Sequence, residues 1–489
     1  MGWSSDEPEV TKKGMETSTK ILLSIIGCVL LIIILIIAIL LNIQYTTYTI
    51  IVDGKESTAK SKESLITTID NITYINIEEF TKLVGYEYHE GEYKSFTISE
   101  GKCYVQGLNE TATFYLDDNK ICKLPVNQLE EDYREFTLEN ETKSLNGKMY
   151  APIETINLAF NVVVKEEERL LEIYTLDYLV SQYNTKVKQW GYSDISEQSF
   201  ENKKSILYGY LIVKKEDGLY KIIDNQNTRE VVADKYTSIE FSENTEEFFV
   251  TNSLGQVGII NLDGTTKIEP IYKSISLLNK ASGLYLVQKG EKFGVVKSGN
   301  IIVINPEYDS VGLNNNSTQT YILDNKYLIL DTLIPVCKDD KWGAFDIEGN
   351  LIYNVEYDEL GSTVTSVQID GVEKKILPVL TIDRCKGIVV KKGDKYGLLN
   401  IEGKELVSVA VESIYAIEDE EDENSKYFML YKGKELNIIE RLLAAGLLEE
   451  PEEKVEEIDK SNTIENQITN TIVENTVATV SNLVANNQV

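Results

Sequence analysis

The sequence predicts a mainly β protein with an N-terminal transmembrane helix, a small α+β domain and then an antiparallel β-repeat array, propeller-like or open. Three observations carry that reading. An uninterrupted apolar run lies near the N-terminus, a two-fold echo follows it, and a fifteen-residue spacing between marker residues recurs through the second half. With 489 residues there is room for two or three domains, each with its own core. A formal charge of −31 argues against nucleic acid as a partner, since phosphates require a basic footprint.

The apolar run extends from Ile21 to Leu41, about the ~20 residues a helix needs to cross a bilayer. A cleaved signal peptide is the rival reading. Its apolar region would be shorter, and the following "LNIQYTTYTI" offers no small-x-small cleavage site. An uncleaved signal anchor is therefore expected, with the lipid bilayer as partner of residues 21–41. Lys12, Lys13 and Lys20 precede the run, and only Lys55 falls in the fifteen residues after it. That bias places residues 1–20 in the cytoplasm and the bulk of a single-pass chain outside the plasma membrane. The richness in Ile, Asn, Lys and Glu suggests a bacterial envelope.

Beyond Cys28 in the run, the cysteines are Cys103, Cys122, Cys337 and Cys385. No CxxC or Cys/His spacing suggests a metal, and no cofactor is expected. Two disulfides and free buried thiols both stay open.

Between residues 48 and 174, "TYINIEEFTKLVGYEY" from Thr73 aligns with "MYAPIETINLAFNVVV" from Met149 at a spacing of 76. Each copy reads as a strand end followed by a short amphipathic helix, closed by Gly85 or Asn161, which suit a left-handed cap. Together with "VDGK" (Val52 to Lys55), these residues resemble the copper amine oxidase N-terminal-like, or stalk, domain. The resemblance implies a small α+β module. It does not imply oxidase chemistry, because copper there is held by three histidines and this chain has only His89. Helical spacing from Leu176 to Trp190 then predicts a linking helix within residues 175–205.

Residues 206–439 hold five related stretches. Their first markers are Tyr220, Val257, Phe293, Trp342 and Tyr396, and their second markers are Tyr236, Tyr272, Tyr308, Tyr357 and Val411. The separation is fifteen residues in four copies and sixteen in the first. Each copy reads as strand, turn, strand, a second turn and a third strand, with glycines supplying the positive φ of the hairpins. Gly258, Gly294, Gly343 and Gly397 follow the first marker in four copies. On these residues the units resemble WG repeats, although Lys221 replaces the glycine in the first copy and Val257 the aromatic in the second. The markers are expected to pack rather than to bind, the glycines letting backbones approach closely. The segment "YFMLYKGKELNII" from Tyr427 could supply a closing or capping strand.

Residues 440–489 form an acidic and polar tail after the block "EDEEDE" (Glu418 to Glu423), a pattern of solvated loops. Anchor, stalk-like module and repeats together point to a noncatalytic envelope protein presenting the repeats to a protein or a cell-wall polymer. The alternative is an envelope glycan-processing enzyme using a carboxylate pair. No nucleophile-elbow, metal-binding or phosphate-loop motif supports that alternative.

Overall fold

The computed structural model describes residues 26, 29–37, 49–57, 65–91, 101–126, 134–167, 170–226, 229–313, 327–417 and 425–449. The expected fold class needs one correction. Residues 29–37 are helical. Among the described residues no helix is long and apolar enough to cross a membrane. The expected ends Ile21 and Leu41, the tail 1–20 and residues 450–489 lie outside the described residues.

The N-terminal unit is closed by its own ends. Strand Thr49–Val52 pairs in parallel with Leu170–Thr175, so the beginning and end of the unit lie side by side. In the turn that follows the first strand, Asp53 takes a positive φ and accepts hydrogen bonds from the backbone N and the Oγ1 of Thr175, both at 2.8 Å. Thr175 in turn caps the helix Leu176–Gln189. The "VDGK" turn thereby fixes where the linking helix leaves.

Strands Ile72–Asn76 and Lys148–Pro152 pair with each other, and each runs straight into a helix, Ile77–Val84 or Ile153–Phe160. Gly85 (φ 74) and Asn161 (φ 52) end those helices in the left-handed region, so both copies of the sequence echo stop in the same way. The helices meet through Phe80 and Phe160, ring centroids 4.9 Å apart. Both rings sit in one core with Phe114 and Ile121, from a five-stranded meander of order Glu87–Glu90, Lys102–Gln106, Glu110–Tyr115, Lys120–Pro125 and Arg134–Thr137. Burying a side chain of that size contributes about 1.5–3 kcal/mol.

Six antiparallel sheets follow, numbered here in chain order. Sheet 1 is Tyr210–Lys214, Tyr220–Asp224 and Glu230–Tyr236. Sheet 2 is Ser238–Ser242, Glu247–Thr251, Val257–Asn261 and Thr266–Tyr272. Sheet 3 is Ser274–Asn279, Leu284–Lys289, Lys292–Lys297 and Ile301–Tyr308. Sheet 4 is Ser310–Val311, Leu333–Lys338, Lys341–Asp346 and Leu351–Tyr357. Sheet 5 is Glu359–Leu360, Gly387–Lys392, Lys395–Asn400 and Glu405–Val411, with Thr381–Ile382 also on Gly387–Lys392. Sheet 6 is Ser413–Ala416, Tyr427–Tyr431 and Lys434–Asn437, so the "YFMLYKGKELN" segment forms a hairpin of a sixth sheet.

Alternation along the strands assigns each sheet two apolar faces. In sheet 1, Ile212 and Ile222 pack on sheet 2 residues such as Phe248 and Val250. The opposite face, with Leu211, Val213 and Ile223, is covered by Leu176, Val180 and Val187 of the linking helix. In sheet 6, Ile414 and Ala416 pack on sheet 5 and on the helix Ile438–Ala444. The opposite face, with Tyr415, Phe428 and Leu430, is covered by Val367 and Ile376 at a hairpin inserted into sheet 5. In a closed ring those two outermost faces would pack on each other. Each is instead covered by a local segment, so the sheets form an array with two capped ends.

Candidate binding surface

The two markers of every repeat are cross-strand partners. Tyr220 faces Tyr236, Val257 faces Tyr272, Phe293 faces Tyr308, Trp342 faces Tyr357 and Tyr396 faces Val411. The constant spacing is therefore the length of one hairpin measured from its open end. In all five the returning strand carries extra residues between the marker pair and the turn, which shift the register at the same two places. The first copy's additional residue lies in the turn, because Ile223 pairs with Glu230 where Ile260 pairs with Thr266.

That bulge explains the marker glycines. A Cβ on Gly294 would lie 2.5 Å from the carbonyl oxygen of Ile304 and 2.6 Å from the nitrogen of Pro306. On Gly343 it would lie 2.6 Å from the oxygen of Tyr353 and 2.9 Å from the Cα of Val355. Gly258 and Gly397 are crowded in the same way by Pro270 and Val409. The bulged strand crosses directly over these positions and leaves no room for a side chain. In the first repeat Lys221 occupies this position with its Nζ 2.9 Å from Glu230.

The markers themselves are packed. Tyr236, Tyr272, Tyr308, Tyr357, Tyr396 and Val411 are buried, while Tyr220, Val257, Phe293 and Trp342 are half-buried. Burial raises the hydroxyl pKa of Tyr272, Tyr308, Tyr357 and Tyr396 above the ordinary phenol value.

Consecutive sheets are joined by two recurring contacts. In the first, the second turn of one repeat seats on the last strand of the preceding sheet. A Cβ on Gly264 would lie 2.5 Å from the oxygen of Val231, and one on Gly403 would lie 2.7 Å from the oxygen of Ile352. Gly349 is held similarly against Val303, and the Glu269 amide donates to Asn300 Oδ1 at 3.0 Å. In the second contact, the residue after the buried tyrosine reaches the next hairpin. Asp309 pairs with Lys292 and accepts from the Asp339 amide at 2.8 Å; Asp358 pairs with Lys341 and accepts from the Gly393 amide at 2.6 Å. Hydrogen bonds from Lys292 and Lys341 hold the carboxyls of Asp309 and Asp358 below the usual range. Between sheets 2 and 3 the polarity is reversed, with Lys273 3.1 Å from Glu291.

What the frame leaves to solvent is the outer side of the last strand in each sheet. Four positions before the buried marker the residue is buried (Ile268, Ile304, Tyr353, Val407); three before, it is exposed and polar (Glu269, Asn305, Asn354, Ser408). Exposed Ile271, Ile301, Ile302 and Leu351 lie on the same strands. Pro270 and Pro306 stand within two of them, and prolines with no N–H are tolerated because these are edge strands. These exposed positions were missed by reading the markers alone. Their signal in the sequence is the two-residue alternation counted back from each tyrosine.

A second constellation joins the N-terminal unit to the array. Lys123 Nζ lies 2.6 Å from Glu110 Oε1 and 2.8 Å from Glu243 Oε2. Lys204 Nζ lies 2.7 Å from Glu110 Oε2 and 2.7 Å from Glu243 Oε2. All four side chains are within 2% of complete burial. Lys123 also donates to the Leu158 carbonyl and Asn161 Oδ1, Asn161 donates to Glu110, and Glu201 links Lys204 to Arg134. Burial alone would raise the Glu110 carboxyl, but Lys123 and Lys204 outweigh it and hold the group at about 2. Burial opposes the charge of Lys204, and Glu243, Glu110 and Glu201 outweigh it in turn and raise its pKa. Both carboxylates of this pair are enclosed by Lys123 and Lys204.

Among the described residues no group of His, Cys, Asp or Glu is placed to hold a metal. His89 stacks on Tyr104 at 4.6 Å, with Nε2 3.6 Å from Glu87.

A family model, the WG containing repeat, matches residues 258–293, which run from the marker glycine of one repeat to the marker aromatic of the next. No curated protein matches the sequence. Among solved structures, BamB from Moraxella catarrhalis aligns at 12% identity over 46% of this chain and 79% of that one, TM-score 0.17. The WD40 beta propeller domain of Doa1 aligns at 10% over 46% and 77%, TM-score 0.16, and Kluyveromyces lactis Hsv2p at 11% over 53% and 74%, TM-score 0.19. Scores of that size carry no arrangement of sheets from those proteins to this one.

Proposed function

We propose that the chain is a noncatalytic binding or scaffold protein whose repeat array presents the exposed last strands of its sheets to a protein or a cell-wall polymer. One observation carries this reading. The same backbone frame recurs with its markers packed inside, while the solvent-facing position at a fixed offset carries glutamate in one sheet (Glu269), asparagine in two (Asn305, Asn354) and serine in another (Ser408). A repeated frame with varied outward side chains suits recognition of an extended partner. Residues 48–174, read as a stalk-like module of the copper amine oxidase N-terminal-like kind, hold the array through the lysine–glutamate ring.

The test is retention of isolated cell-envelope fractions, polymer against protein, by the full chain and by the triple variant Ile271→Glu, Ile302→Glu, Leu351→Glu. These three side chains are exposed, so the melting curve should stay unchanged. Saturable retention by one fraction, lost in the variant, supports the reading. Equal retention by both proteins moves the contact elsewhere. Release of soluble wall fragments would replace the reading with the carboxylate enzyme.

A further inference from the structure

The N-terminal unit, residues 49–175, and the repeat array meet without a shared apolar core. Among the described residues, every buried apolar side chain in the core of the unit lies between Ile50 and Ile173, and the cores of the array are built from residue 208 onwards. The cluster between Leu176 and Ile223 joins the linking helix to sheet 1 and takes no residue from the unit. The chain crosses the junction once, at Thr175, where Asp53 fixes the start of the linking helix. One such crossing is a pivot, and a second point of attachment is what turns a pivot into a fixed angle.

That second point is the lysine–glutamate ring. Glu110 and Lys123 stand on neighbouring strands of the meander, so their pair is internal to the unit. Lys204 ends the short helix Phe200–Lys204 and Glu243 follows the first strand of sheet 2, and these two make the pairs that cross: Lys204 with Glu110 at 2.7 Å and Glu243 with Lys123 at 2.8 Å. The same short helix is anchored to sheet 2 through Asn202, which donates to the Ile239 carbonyl at 3.1 Å and accepts from the Phe241 amide at 2.8 Å. Asn161 donates to Glu110 at 2.8 Å and accepts from Lys123 at 3.0 Å, two bonds that the glycine closing the first echo helix, Gly85, has no side chain to make. Beside the ring, Lys280 of sheet 3 lies 5.2 Å from the centre of the Phe136 ring on the last strand of the meander.

Apolar contact is non-directional and survives sliding. Hydrogen-bonded ion pairs are directional, and any rotation that parts Lys204 from Glu110 or Lys123 from Glu243 strands a buried charge. We propose that the ring is an orienting device: it sets the angle at which the N-terminal unit carries the repeat array, so that the two turn as one body. That angle is set whatever the array binds.

The experiment places nitroxide labels on non-natural residues at exposed sites of the full chain and reads distances by pulsed electron resonance. Glu87 in the unit with Glu291 in sheet 3 spans the junction, and Glu291 with Asp394 reads the array alone. The parent should give one narrow distance across the junction, unchanged between about 0.1 and about 1 M salt, because buried pairs are screened far less than exposed ones. Lys204→Met with Glu243→Leu removes both crossing pairs and leaves Lys123 with Glu110, so no charge of the ring is stranded. Its melt should stay cooperative and its array distance unchanged, while the distribution across the junction at least doubles in width. Glu243→Gln should broaden the same distribution. A parent distribution that is broad, or that broadens in salt, overturns the proposal, and so does a double variant as narrow as the parent. A change in the array distance places the effect within the sheets and also overturns it. Loss of the cooperative melt in both variants does the same, because the ring would then be needed for folding rather than for the angle.

Discussion

Lys123 and Glu243 meet at 2.8 Å although 120 positions separate them in the chain. One belongs to the meander of the N-terminal unit and the other follows the first strand of sheet 2. With Lys204 and Glu110 they close a ring of two cations and two carboxylates that no water reaches. Removing one member of such a ring leaves a buried charge without its partner, which costs about 3–5 kcal/mol. Glu243→Gln is accordingly expected to lower stability in urea by about that amount. The paired change Lys204→Met with Glu243→Leu should cost clearly less than the two single changes added together, as a double-mutant cycle would read.

The acid limb of stability should carry the signature of Glu110. Its folded pKa of about 2 lies below the ordinary 4.5, so its contribution is fully present above about pH 4.5 and is lost as pH falls towards 2. Glu110→Gln should flatten the stability profile in that window while lowering stability at neutral pH. An unchanged acid slope would mean that Glu110 is not held by the lysines. Lys204 has the opposite sign: its raised pKa gives stability present below its unfolded value and lost only as pH rises through the folded one.

Marker glycines and turn glycines should respond differently to alanine. At Gly343 the new methyl meets backbone at 2.6 to 2.9 Å on the bulged strand, and overpacking of this kind costs about 1–3 kcal/mol or more. At Gly393 nothing lies within 4 Å, and only the φ of 63° is unfavourable, a cost of about 1 kcal/mol. Thermal melts of the two variants should therefore rank Gly343→Ala well below Gly393→Ala.

The four cysteines after residue 100 are free thiols. Burial pushes Cys103 up to about 12 and Cys385 up to about 11, and it raises Cys337 as well. Thiolate is the reactive form, so a disulfide-exchange reagent at pH 8 should find the folded protein slow and the unfolded protein fully reactive. Fast labelling of Cys103 in the folded state would contradict the packing around it.

The repeats were legible because their periodicity is covalent: a hairpin of fixed length returns its end to the same partner, and the interval can be counted. The left-handed caps at Gly85 and Asn161 were legible for a similar local reason. The ring at the junction was not, since Lys123 in "KICKLP" looks like any strand lysine until a glutamate 120 positions away arrives beside it. The linking helix was visible as an apolar spacing, but that spacing did not say that it would cover the free face of sheet 1. At the N-terminus the expectation failed in the other direction: an apolar stretch of suitable length was read as a membrane-crossing helix, whereas among the described residues no helix is long and apolar enough to cross.

The seating of each turn on the sheet before it, as Gly264 on Val231 and Gly403 on Ile352, gives the array a polarity in time. The second turn of a new repeat finds its seat on a strand that has already left the ribosome. Assembly can then keep pace with synthesis from the N-terminal end, each sheet offering its last edge as the template for the next. The one face with no successor is met by a hairpin made shortly before it, between residues 366 and 375.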